Sequence, residues 1–86
     1  MKTNALQTSI WSYHSLADLT ARQQQVYDVI ARRGAVCNAE IALALDLPIN
    51  QITGRTNELV AKGAVEEATR DQWPPTGRTV VYWRAK

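Results

Sequence analysis

Leu47 to Gly63 reads L-P-I-N-Q-I-T-G-R-T-N-E-L-V-A-K-G, and its reading decides the fold. The stretch predicts one helix over about 48–62. Pro48 suits the first helical position, where its missing N–H needs no partner and its φ is already helical. Gly63 suits the stop, and Lys62 in the last turn complements the helix dipole. At about 100° per residue, Ile49, Ile52, Thr56, Leu59 and Val60 fall on one side and predict the buried stripe. Asn50, Gln51, Gly54, Asn57, Glu58 and Ala61 fall opposite, flanked by Thr53, Arg55 and Lys62. Such an amide-rich face is unlike the Glu/Lys pattern of a merely solvated helix. Asn and Gln match adenine edges, and Arg matches guanine. Gly54 destabilises a helix interior by roughly 1 kcal/mol against Ala, so a close approach at that point would explain it.

The segment before it predicts a shorter helix, Ala39 to Leu45, capped by Asn38, with Ile41, Ala42 and Leu45 inward. Asp46-Leu47-Pro48 breaks that helix, because the residue before proline leaves the α region. Leu47 is the expected buried residue of the turn. Two helices joined by about three residues have the spacing of a helix-turn-helix, whose second helix enters a major groove. Further upstream, Thr20 and Gln23 form a capping-box pattern that opens a helix to Arg33, stopped by Gly34. Leu19, Val26, Tyr27, Ile30 and Ala31 are its expected core positions. Ala35 to Cys37 is a short extended link, and Cys37 reads as a small buried residue. Residues 1–10 are expected to be a loose arm, with residues 11–86 as the domain. Ile10, Trp11, Tyr13 and Leu16 suggest a short helix or turn over about 12–18.

After Gly63 the period changes to two. Residues 64–70 predict a strand. The stretch Asp71-Gln72-Trp73-Pro74-Pro75-Thr76-Gly77 predicts a loop without regular structure, because of its prolines and glycine. Residues 78–84, R-T-V-V-Y-W-R, are the best strand in the chain, rich in β-branched and aromatic residues. Together these strands make a hairpin. Val81 and Trp83 share one face and Val80 and Tyr82 the other, with the inward face left open.

Composition narrows the function. Eighty-six residues make one small domain. Ten basic and eight acidic side chains leave a net charge of +2, which neither requires nor excludes nucleic acid. One cysteine excludes an internal disulfide, and with a single histidine it leaves no metal set and no nucleophile–base pair. No apolar run is long enough to span a bilayer, and no signal-peptide pattern opens the chain. Neighbouring carboxylates Glu66 and Glu67 on a strand point to opposite faces and cannot work as a pair. The expectation is therefore a cytoplasmic, cofactor-free chain that is not an enzyme.

Three residue patterns carry a family resemblance: L-T-A-R-Q-Q-Q-V-Y-D-V-I over 19–30, N-A-E-I-A-L-A-L-D-L-P-I-N-Q-I-T-G-R-T-N-E-L-V-A-K-G-A-V over 38–65, and T-G-R-T-V-V-Y-W over 76–83. Together they resemble a winged helix-turn-helix domain, similar to small bacterial and bacteriophage DNA-binding regulators of the MarR-like superfamily type. The resemblance implies a mainly α fold with a small β hairpin: a three-helix core plus a two- to three-stranded wing sheet. It also implies a recognition helix at 48–62 whose Asn50, Gln51, Thr53, Gly54, Arg55 and Asn57 face double-stranded DNA. The wing around Arg70, Trp73 and Arg78, with Lys62, would meet the backbone or a groove. With so few cations, dimerisation or a protein partner is expected. The alternative is a winged helix used as a protein-interaction module, for which Glu58 on the outer face, the near-balanced charge and Trp73 beside Pro74-Pro75 speak.

Overall fold

The computed structural model describes residues 19–86. The readings made for the N-terminal arm, for Ile10, Trp11, Tyr13 and Leu16, and for the short helix near 12–18 lie outside these residues. Among the described residues three helices come first: α1 (Ala21–Arg33), α2 (Asn38–Leu45) and α3 (Ile49–Ala61). Two antiparallel strands follow, β1 (Val65–Trp73) and β2 (Arg78–Ala85).

Each helix end has a local cause. At α1 the capping box is complete: the Gln23 N–H donates to Thr20 Oγ1 (3.2 Å) and the Thr20 N–H donates to Gln23 Oε1 (3.0 Å). For α2 the cap is one residue earlier than the sequence suggests. Cys37 is the extended N-cap, and its N–H donates to the Glu40 carboxylate (3.1 Å). Asn38 is thus the first helical residue, and its side chain is free to accept from the Trp83 indole N–H (3.1 Å). α2 ends on Asp46 in the left-handed region (φ 56°), a conformation that aspartate tolerates better than most side chains. The Leu47 N–H then donates back to the Ala42 carbonyl at 3.0 Å. Pro48 is the N-cap of α3 rather than its first residue. At the far end Gly63 (φ 78°) lets its own N–H reach the Val60 carbonyl and the Ala64 N–H reach the Leu59 carbonyl, both at 2.9 Å. That double return is a Schellman stop.

The core lies where the three helices meet the base of the hairpin. Val26, Ile30, Ile41, Ile52 and Leu59 are wholly buried, and Val36 and Val65 at the base of the sheet are nearly so. The wheel reading needs correction at two helices. On α3 the buried stripe is Ile52, Thr56 and Leu59, while Ile49 and Val60 are exposed. Ile49 sits in the first turn, and Val60 lies on the edge of a stripe too narrow to include it. On α1 the stripe is Gln23, Val26, Val29 and Ile30, whereas Ala31 is exposed. Thr56 is buried yet satisfied, its hydroxyl donating to the Thr53 carbonyl at 3.0 Å.

The hairpin is longer than the sequence suggests. β1 continues through Asp71, Gln72 and Trp73, which pair with Val80, Thr79 and Arg78. The prolines at 74 and 75 lack N–H groups, but the three residues before them keep theirs and stay in the ladder. The loop is only 74–77, closed by the Gly77 N–H on the Trp73 carbonyl (2.8 Å). Register slips between Glu67 and Thr69, so that Ala68 is a bulge. A third extended piece completes the sheet: Val36 exchanges both backbone bonds with Trp83, at 3.0 and 2.7 Å. That contact, with the Asn38 bond, turns Trp83 toward the core, the face that the strand pattern left open.

Candidate nucleic-acid interface

The helix-turn-helix holds α3 with its buried stripe on α1 and α2 and its amide-rich face outward. Asn50, Gln51, Thr53 and Asn57 are exposed, and Gly54 and Arg55 are half-buried. Thr53 is not wholly available, because its hydroxyl donates to the Ile49 carbonyl at 3.2 Å. At Gly54 a Cβ would meet nothing within 4 Å, so the helix surface is open there and packing does not explain the glycine.

One flank of this face is built jointly with the start of α1. Arg22 Nη1 donates to Gln51 Oε1 (3.1 Å). Gln23 Nε2 donates to Glu58 Oε1 (2.7 Å). Arg55 grips the same carboxylate with two donors, Nε to Oε1 (2.7 Å) and Nη2 to Oε2 (2.9 Å). The Arg55 guanidinium, with the Gln23 amide behind it, holds the Glu58 carboxyl below the usual glutamate range. Arg22 and Gln23 escaped the sequence reading as members of this face. A signal existed for one of them: a cation in the first turn of a helix opposes the dipole, so Arg22 asks for a partner elsewhere.

The wing supplies the remaining candidates, and its charge is locally consumed. Between 65 and 85 there are three arginines and three carboxylates, and two of the arginines are paired. Arg70 pairs with Glu67 (Nε to Oε2, 2.8 Å), and Arg84 pairs with Glu66 across the strands (2.7 Å). In a regular strand residues 67 and 70 would point to opposite faces. The Ala68 bulge shifts the alternation by one and brings them together. Arg78 is exposed opposite Trp73 in the register. Lys62 is exposed at the end of α3 and has an interaction partner of its own.

Trp73 is half-buried rather than exposed. It lines an apolar groove of about 500 Å³ with Leu43, Leu47, Pro48 and Ile49 over the α2–α3 turn. Leu43 and Ile49 in that groove are 73% and 51% exposed. Trp73 therefore sits over the α2–α3 turn, beside the first turn of α3. Among the described residues no three His, Cys, Asp or Glu gather as a metal set, and no helix is long and apolar enough to cross a membrane. Cys37 is buried, and burial pushes its thiol pKa up, away from the thiolate a nucleophile needs.

A helix-turn-helix with an antiparallel hairpin after its second helix, closed at its base by the link between α1 and α2, is a winged helix-turn-helix domain. Its architecture is that of the MarR-type winged-helix repressors. The chain is similar to the multiple antibiotic resistance repressor MarR, with a TM-score of 0.64 and 26% identity over 99% of this chain and 59% of that one. It is also similar to a mutant MarR from E. coli complexed with operator DNA, with a TM-score of 0.64 and 24% identity over 95% of this chain and 57% of that one. FabT from Streptococcus pneumoniae, in complex with DNA, gives a TM-score of 0.63 and 21% identity over 99% of this chain and 64% of that one. The chain thus spans about three fifths of the length of these proteins. No family model matches the sequence, and no curated protein matches it.

Proposed function

We propose that this chain is a double-stranded DNA-binding transcriptional regulator of bacterial or phage type, working in the cytoplasm without a cofactor and without catalysis. The observation that carries this reading is the outer face of α3. It combines exposed Asn50, Gln51 and Asn57, an arginine held at the same surface, and a glycine with open space above it. Two similar structures are complexes with DNA, which supports the same use of the fold. In this reading Asn50, Gln51, Thr53, Arg55 and Asn57 face bases, Gly54 lets the duplex approach, and Lys62, Arg70, Trp73 and Arg78 meet the backbone or a groove. Arg22 joins the backbone contacts. One such module buries on the order of 600–1,000 Å² of protein surface. Its few cations favour binding as a homodimer or beside a protein partner.

Fluorescence anisotropy on random 30-base-pair duplex, at low and then moderate salt, tests this. About four phosphate contacts predict a log–log salt slope near −3.6. Absence of binding at low salt and high protein concentration would sink the reading. A second reading, a winged helix that binds protein, is favoured by one observation: the apolar groove with Leu43 and Ile49 exposed beside Trp73. Under it Trp73→Ala would abolish the interaction while Arg55→Ala leaves it intact.

A further inference from the structure

The pair Arg55–Glu58 leaves a defined part of the arginine unused. A guanidinium has five N–H donors in a rigid plane. Glu58 occupies the side edge, taking one hydrogen from Nε and one from Nη2. The end edge, one hydrogen each from Nη1 and Nη2, keeps a two-donor fork. Two parallel donors match guanine, which shows O6 and N7 as adjacent acceptors in the major groove. Adenine offers one acceptor and one donor there, thymine an acceptor and a methyl group, and cytosine a donor, so none of them satisfies both hydrogens.

The fork is also held. The Glu58 carboxylate is fixed from behind by Gln23, a buried side chain. Gln23 is in turn fixed by its reciprocal bonds with Thr20 at the start of α1. A line of hydrogen bonds therefore runs from the α1 cap through Glu58 to the guanidinium on α3. A long side chain restrained in this way loses less freedom when it meets a base. The carboxylate also cancels the arginine's charge locally, which makes this group a poor phosphate grip and leaves shape and donor pattern as its asset.

Resting on the DNA-binding reading, we infer that Glu58, backed by Gln23, is a positioning residue that orients Arg55 to read one guanine in the major groove. Selection from a random duplex pool tests it, comparing wild type with Glu58→Gln and Glu58→Ala. Both variants are checked for a wild-type-like thermal transition by circular dichroism. Wild type is expected to favour dG at one position by on the order of 10-fold or more. Replacing that dG by 7-deazaguanine, which lacks N7, should remove most of the preference, as should Arg55→Ala. Both Glu58 variants should flatten the preference at that position while binding random duplex as well as wild type or better, since a carboxylate has left the surface. Preference for dG retained in both variants, with all sequences bound equally more tightly, would make Glu58 only a repulsive charge and overturn the inference. A wild-type motif without an Arg55-dependent dG would overturn it too, and in both cases the DNA-binding reading survives. Failure of the wild type to bind any duplex defeats both.

Discussion

Two arginines in this molecule are gripped by a glutamate three residues away, and the two grips differ in what stands behind them. On α3 the spacing is natural to a helix, where residues i and i+3 are neighbours. There the glutamate, Glu58, is tied to a second helix through buried Gln23. On the wing the spacing is unnatural to a strand and works only because Ala68 bulges. Glu67 and Arg70 are side chains of one exposed strand, and their contact is open to solvent. The same residue pair is thus an oriented group in one place and a screened surface pair in the other. The difference teaches that an ion pair positions a side chain only when its far end is anchored to something that is itself packed.

The largest effect should come from removing what α3 rests on. Ile52→Ala takes a fully buried side chain out of the centre of the helix face, and urea unfolding should show a loss of about 3 kcal/mol. Next comes the contrast between the two arginines on DNA. Arg55→Ala should reduce binding by on the order of 10-fold or more at one base pair and relax selectivity there. Arg70→Ala should instead weaken all sequences evenly and flatten the log–log salt slope by less than about 1, because Glu67 already offsets part of its charge. Gly54→Ala should separate stability from binding. Nothing blocks the added methyl, so thermal unfolding should show a gain of roughly 1 kcal/mol, while affinity for duplex falls if the backbone approaches DNA at that point.

The smallest effect concerns acid. Glu58 is held below the ordinary glutamate pKa first by Arg55 and then by Gln23, and Glu67 is held below it by Arg70. A carboxyl whose folded pKa is lowered contributes stability that is complete above its unfolded pKa and is lost as pH falls through the folded value. Unfolding midpoints should therefore decline on acidification below the ordinary glutamate range. Glu58→Gln should flatten that decline more than Glu67→Gln, because only Glu58 links two helices.

Much of the fold was legible in the residues. The Thr20/Gln23 cap, the turn before Pro48, the Gly63 stop and the β-branched strand near the C-terminus each rest on local chemistry that a short window contains. Where the reading failed, the cause lay further away in the chain. The wheel of α3 shows which residues share a side but not how wide a stripe the neighbouring helices cover, so it puts Ile49 and Val60 inside although both are exposed. Asn38 looks like a cap until Trp83, 45 residues later, claims its side-chain oxygen. The prolines at 74 and 75 suggested irregularity for 71–73, although backbone pairing is settled by the partner strand. At the candidate site, the amides and Arg55 could be named from one helix. The roles of Arg22 and Gln23 could not, because they depend on how α1 crosses α3.

The backbone exchange between Val36 and Trp83 bears on the order in which this molecule can be made. Residues 19 to 63 hold the three helices of the described residues, yet Val36, in the link between the first two, exchanges its backbone bonds with Trp83, which comes only near the end of β2. A chain growing from its N-terminus therefore carries an open seam beside Val36 until residue 83 has been added. The seam closes only after the hairpin has turned back on itself. Assembly of the helical body is in this sense gated by the wing, and a stop before residue 83 would leave three helices with an unclosed core rather than a smaller version of the same domain.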